Sequence, residues 1–228
     1  MSGVDREAAV WVTALVWLAS PSESWRFFTS AMFDTSRTGF AEFAGNQSLK
    51  GTIARLAPES TWVALWAVCA ATVLVGAWLL LRRLDALRGQ DDSLALELQL
   101  VVTMMTGLLV SPVSWTHHWV WSAPALLVLA VASWRWRSWW LGGVTLLGAV
   151  ILGTGIQWSF PFQNHVELSW PLWMKVVGAG YVWWALLAGA ALWLVAGRRA
   201  QARTALTRPG GRRAPALSAP RARRRSAR

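Results

Sequence analysis

The sequence predicts an all-α membrane protein of about five to six transmembrane helices, and three observations predict it. Only 14% of the 228 residues are charged while 55% are hydrophobic, where a soluble domain usually carries about a quarter charged residues. Nineteen tryptophans stand against one tyrosine, and indole rings favour the headgroup zone of a bilayer. The arginines flank apolar runs: eleven lie after Gly197, and most of the others close a hydrophobic stretch. The formal net charge of +11 is therefore a topology pattern rather than a folded basic groove. Nucleic acid is set aside as a partner, because no aromatic residues interleave the basic tail. Cys69 is the single cysteine and has no internal disulfide partner.

The elements follow from the apolar runs. Residues 8–19 make a run of about 12 residues, which covers about 18 Å of a roughly 30 Å hydrocarbon core. Asp5, Arg6 and Glu7 precede it and argue against a signal peptide, so a truncated or tilted span is expected, in a chain that begins partway through a larger protein. Residues 20–60 form a long polar-aromatic loop, uncommon unless functional. Within it Phe27, Phe28, Met32 and Phe33 recur at helical spacing, predicting an amphipathic surface helix. A second short helix is expected to open at Asn46-Gln47-Ser48. Spans follow at 62–81, 94–110, 119–133, 141–156 and 172–196, each about the length a bilayer requires or slightly short of it. Residues 1–197 thus form one multi-spanning domain. The tail 198–228, rich in Arg, Pro and Ala, is expected to be disordered and drawn to anionic membrane lipids.

Arginine placement predicts orientation. The stretches 82–93 and 134–138 and the tail carry the arginines and are expected to be cytoplasmic by the positive-inside rule. The 20–60 loop, the 111–118 turn and the 157–170 loop then share the outer face, and every pronounced polar-aromatic cluster lies on that one side.

The chemistry-bearing residues sit in those three outer segments. Ser111–Trp121 (SPVSWTHHWVW) holds His117 and His118, two of the three histidines, among Trp115, Trp119 and Trp121, with Ser114 beside them. Adjacent helical residues point about 100° apart, and no HExxH motif or cysteine cluster accompanies the pair, so no metal is expected. An imidazole there can hydrogen-bond a phosphate or a sugar hydroxyl; water and backbone could equally satisfy both rings. Asn46, Gln47 and Ser48, followed by Lys50 and Arg55, could hold sugar hydroxyls or a phosphate, or Asn46 could simply cap a helix. Outer carboxylates are Glu23, Asp34, Glu42, Glu59 and Glu167, with Asp34 the candidate catalytic group despite hydroxyls and Arg37 that suit an Asx-turn or salt bridge. Trp158, Gln163, Asn164, His165 and Trp170 fit either carbohydrate stacking or an interfacial tryptophan belt. No glycine-rich phosphate loop, Walker signature or Ser-His-Asp spacing is present.

In this order FDTSRTG, GNQSLKGTIARL and SPVSWTHHWVW resemble the C-terminal half of actinobacterial polyprenol-phosphomannose-dependent α-(1→2)-mannosyltransferases, of the GT-C superfamily. The resemblance covers about residues 20–195 and rests on the patterns NQSxxG and SPxSWxHHW. It implies that an acceptor hydroxyl attacks the anomeric carbon of mannose on a polyprenyl phosphate, outside the cytoplasmic membrane, with inversion and departure of the lipid phosphate. The donor would be polyprenyl phosphomannose and the acceptor a glycolipid or cell-envelope glycan, with no cofactor. By the same resemblance His117 or His118 contacts substrate or lipid phosphate, and Asn46 and Gln47 order the outer loop around the sugar. Ser48, Arg55, Ser114 and Trp115 occupy matching positions. The family's base is an acidic residue in the first outer loop of an N-terminal half, which this chain is expected to lack. A non-catalytic fragment that binds polyprenyl lipid or a partner subunit is the alternative. A transporter ranks third, because charges inside the spans are too few for an ion path.

Overall fold

A computed structural model of the chain describes residues 3–31, 39–88 and 92–207. Nine α-helices follow in order among these residues: α1 Gly3–Ala19, α2 Pro21–Arg26, α3 Leu49–Leu56, α4 Trp62–Asp85, α5 Asp92–Val110, α6 Ser122–Trp136, α7 Trp139–Thr154, α8 Leu172–Val177 and α9 Gly180–Thr207. Strand pairing among them is limited to one isolated antiparallel bridge, Asn46 with Trp115. Among the described residues four helical stretches are long and apolar enough to cross a membrane: Glu59–Asp85, Ser93–Val110, Trp139–Ser159 and Gly180–Gln201. The 15-residue α6 is shorter, but a 3-10 turn at Thr116–Trp121 leads into it.

Helices α4, α5, α6, α7 and α9 form the bundle. Leu84, Leu98, Leu129, Leu141, Val182, Trp184 and Leu192 meet at its centre, while large apolar side chains such as Val68, Trp78, Leu127 and Leu146 face outward. A helix apolar all round is a membrane span or a deep core helix, and outward-facing leucines and valines in every bundle helix select the first. Trp184 locks α9 to α7, its indole N–H donating to the carbonyl of Val144 at 3.0 Å. Gly148 makes this approach possible, because a Cβ there would collide with the Trp184 ring. Gly148→Ala is therefore expected to lower the melting temperature of the purified protein, by about 1–3 kcal/mol of stability as for other overpacked cores. Gly143→Ala, where a Cβ meets nothing within 4 Å, is the control and is expected to leave the melt unchanged.

Four expectations change. The first apolar run belongs to a 17-residue helix that includes the charged residues at its start, because they lie on a continuing helical turn rather than in a flanking coil. In the 20–60 segment α2 runs into a π-helical turn at Phe27–Ala31, and Phe28 stacks on Trp17 of α1 with ring centroids 6.1 Å apart. Met32, Phe33, Asp34 and Arg37 lie outside the described residues. The final span begins at Gly180 rather than at 172. The carbonyl of Gly178, which an unbroken helix would use for Val182, accepts instead from the Gln47 amide at 2.7 Å, and the Val182 N–H turns to Ala179. Lastly, α9 continues to Thr207, so disorder does not begin at 198. Residues 198–207 are rich in Ala and Arg, which propagate helices well, and precede Pro209. Residues 208–228 lie outside the described residues.

Candidate functional site

Gly39–Leu56, Ser111–Trp121 and Gln157–Gly178 converge at one end of the bundle. Arg83 and Arg135 lie at the opposite end, in or beside the closing turns of α4 and α6. The convergence is built from the tetrad Asn46, Gln47, Ser48 and Arg55, each almost wholly buried. The Asn46 side-chain oxygen accepts from Ser114 N at 3.0 Å, and its amide donates to the carbonyls of Ala41 (2.9 Å) and Pro112 (3.3 Å). Backbone bonds from Gln47 N to Ser114 O (2.8 Å) and from Thr116 N to Gly45 O (3.0 Å) complete the seam between the first two segments. Gln47 also donates to the Ala44 carbonyl at 2.9 Å, while its own carbonyl accepts from the buried indole of Trp119 at 3.1 Å. Ser48 caps α3, its hydroxyl oxygen accepting from Gly51 N at 3.1 Å. Gly51 is required there, since a Cβ would strike the Asn46 carbonyl.

Arg55 is the keystone beneath this seam. Its Nη1 donates to the carbonyls of Glu42 (3.2 Å), Phe43 (3.1 Å) and Asn46 (3.2 Å). Burial lowers its pKa to about 10, opposed by the nearby carboxylates of Glu167 and Glu42, so it stays charged at neutral pH. Glu167, 1% exposed, accepts from Ala44 N at 3.0 Å. Arg55, Asn46, Gln47 and Ser48 therefore all lie beneath the surface of the cap. Many of their polar atoms are held by main-chain carbonyls and amides, while Gln47 Oε1 and Arg55 Nε and Nη2 have no hydrogen-bond partner among the described residues. The buried Ser114 likewise donates its hydroxyl to Leu108 O at 2.7 Å.

His117 and His118 are exposed on the 3-10 turn above this scaffold. Their rings sit edge to face, 4.4 Å apart, closer in direction than α-helical neighbours would allow a shared task. His118 Nδ1 accepts from Trp115 N at 3.2 Å, which places the proton of the neutral ring on Nε2. Desolvation first, then the neighbouring His117, lowers the His118 pKa below the ordinary histidine value. At neutral pH His118 is thus an uncharged ring whose outward edge donates. Beside His117 lies an open hollow of about 420 Å³, lined by Thr116, Val120, Ser122, Leu152 and Tyr181. Trp115 carries the wall onward: Phe43 packs edge-on against it at 5.6 Å and against Trp158 (5.9 Å) and Phe162 (6.2 Å). Among the described residues no three His, Cys, Asp or Glu side chains gather as a metal cluster.

One pairing was not foreseen from sequence. His165 Nδ1 meets Glu42 Oε1 at 2.5 Å across 123 residues. Both residues stood among the candidates of their own segments, but nothing in local spacing couples them.

Comparison with known proteins sets this all-helical bundle, capped at one end by a histidine-bearing polar-aromatic site, beside glycosyltransferases. Residues 8–112 match the family model described as Glycosyltransferase family 87. A polyprenol-phosphate-mannose-dependent alpha-(1-2)-phosphatidylinositol mannoside mannosyltransferase of Mycolicibacterium smegmatis is 36% identical over 189 residues, covering 82% of this chain and 41% of the relative. Its counterpart in Mycobacterium tuberculosis is 34% identical, over 76% of this chain and 39% of that protein. A pentamannoside mannosyltransferase of M. smegmatis is 30% identical, over 79% of this chain and 45% of its own length. Just under half of the chain thus matches the family 87 model, and these relatives match over most of it. It spans about two-fifths of the length of these curated relatives. No solved structure matches it.

Proposed function

We propose that the chain works in mannosyl transfer from polyprenyl phosphomannose to a glycolipid or cell-envelope glycan acceptor, at the extracytoplasmic face of the cytoplasmic membrane, with its C-terminus in the cytoplasm. The observation that carries this reading is the exposed His117–His118 pair, braced by the Trp115–His118 bond over a fully buried scaffold, in a chain whose relatives are named for that donor. The acceptor hydroxyl oxygen attacks the anomeric carbon, the bond from that carbon to the phosphate oxygen breaks, and the lipid phosphate leaves with the electron pair. The outward Nε2–H of His118 donates to a phosphate oxygen as its negative charge grows, the kind of contact that strengthens in the transition state. His117 and Trp115 flank the donor, with Thr116 in the hollow wall. The hydroxyl proton requires a carboxylate base, for which Asp34 is the candidate in this chain. Ser114, Asn46, Gln47, Ser48 and Arg55 hold the site together from beneath. The arginine-rich end of the bundle lies opposite and supports the orientation.

A second reading, lipid binding without transfer, is favoured by one observation. A hollow of about 350 Å³ opens between α4, α5 and α9, walled by Ala77, Val101, Met105, Leu109, Ala188 and Trp193. Such a wall suits a prenyl chain whether or not transfer follows. The discriminating experiment is mannose transfer from radiolabelled polyprenyl phosphomannose by membranes containing this chain alone. Label appearing in glycolipid supports transfer. Absence of transfer with the protein inserted, while polyprenyl phosphate still binds, sinks transfer by this chain and leaves the binding reading.

A further inference from the structure

The loop after α7 holds the least relaxed backbone among the described residues. Gln163, Asn164 and His165 are three consecutive non-glycine residues with positive φ, at 91°, 51° and 62°. Such conformations are uncommon outside glycine and persist where surrounding contacts over-determine them. Here the contacts are visible. Glu167, two residues on, is buried and accepts from Ala44 N, anchoring the loop to the 39–47 turn. The strained loop then delivers His165 onto Glu42, whose side chain is only 5% exposed while that of His165 is 49% exposed. A buried carboxylate behind a half-exposed imidazole fixes the ring: Nδ1–H donates inward to Glu42, and the Nε2 lone pair is held outward. Among the described residues Nε2 has no protein partner.

Aromatic rings neighbour this pair. The Phe40 ring lies against the imidazole with centroids 3.9 Å apart. Trp158 and Phe162 pack edge to face with each other at 5.3 Å and both rest on Phe43. Trp158 and Phe162 stay 41% and 37% exposed, and Gly45 admits the Trp158 ring where a Cβ would stand 2.9 Å from it. An interfacial belt would splay its rings outward singly. These rings rest on Phe43, the neighbour of Glu42, so an aromatic cluster and one oriented hydrogen-bonding group meet on adjacent residues, the combination by which proteins hold a pyranose: an aromatic face for the C–H side and a polar atom for a hydroxyl.

We propose that the Glu42–His165 pair, with the exposed faces of Trp158 and Phe162, forms a hexose subsite that binds the sugar end of the acceptor, separated from the His117–His118 pair by the ring wall Trp115–Phe43. This deepens the transfer reading and rests on it for the word acceptor, while the sugar binding itself stands alone. Glu42 and His165 are positioning and recognition residues: the carboxylate sets the ring, and the ring reads the hydroxyl.

The test is saturation-transfer NMR of methyl α-D-mannopyranoside with the full chain in nanodiscs. Asparagine tolerates positive φ, and its amide nitrogen overlays Nδ1 of histidine, so His165→Asn keeps the backbone and the Glu42 bond while deleting Nε2. His165→Gln does the reverse, restoring a polar group at the Nε2 position and abandoning Glu42. Recognition by Nε2 predicts about tenfold weaker mannoside binding for His165→Asn and recovery to within about threefold for His165→Gln. A structural role predicts the opposite order, and that order overturns the proposal. So does wild-type protein that shows no mannoside signal, or variants indistinguishable from it. Glu42→Gln is expected to weaken binding as the imidazole loses its brace. Binding of polyprenyl phosphate to His165→Asn is expected to be unchanged. A wild-type chain that binds mannoside but transfers none supports the subsite and removes only the transfer reading.

Discussion

Replacing Arg55 by alanine is expected to destabilise the cap of this protein by about 3–5 kcal/mol, the usual cost of removing one partner from a buried charge cluster. The side chain is 1% exposed, and its Nη1 gathers three carbonyls from the 42–46 turn. Without it those carbonyls lose a shared donor, and the buried carboxylates of Glu42 and Glu167 lose the cation that opposes their charge. Thermal unfolding in detergent, followed by proteolysis of the 39–56 segment, reads the effect. Arg55→Lys is expected to recover part of the loss, because it keeps the charge but ends in a compact ammonium on a differently shaped stem. An unchanged melt for Arg55→Ala would show that the cap does not depend on this cation.

The largest functional effect is expected at His118. His118→Ala removes the outward Nε2–H, and loss of one donor to developing charge lowers transfer by about 10²-fold. Trp139→Ala, at a residue 93% exposed near the arginine-rich end, is expected to leave transfer unaltered. Equal effects of the two would remove the basis for the site. A pH dependence accompanies the first. The His118 pKa is lowered in the folded protein by desolvation and by His117. The unfolded chain therefore binds more protons just below the usual histidine value, and stability rises with pH there. Acid that protonates the folded ring puts a proton on Nδ1, where Trp115 N–H must be accepted, and breaks that bond. Transfer is expected to hold through the ordinary histidine range and to fall only below it, and His118→Ala is expected to lack that acid limb.

Much of this was legible before any coordinates. The spans at 62–81, 94–110 and 141–156 are visible because each is a nearly unbroken apolar run, and transfer from water to lipid depends on composition summed over about 20 residues. The same summation misplaced the last span. Residues 172–196 are apolar but for Lys175, and a side chain 131 positions earlier, Gln47, takes the Gly178 carbonyl and breaks the helix. The helical continuation through 198–207 was missed for the converse reason: its arginines read as a solvated tail while its local helix propensity is high.

The candidate site divides along the same line. The chain by itself determined which segments carry chemistry, since polar and aromatic residues stand out against an apolar background, and it carried the resemblance to the family, since short motifs in order need no geometry. Only the tertiary structure decided which of those residues are exposed and which are buried in the cap. Asn46, Gln47, Ser48 and Arg55 look like binding groups in one dimension and prove to be buried, with hydrogen bonds to main-chain partners. His165 and Glu42 look unrelated and prove to be paired. The physical reason is that burial and hydrogen-bond satisfaction are properties of the assembled backbone, where each polar group must find its partner once water is removed.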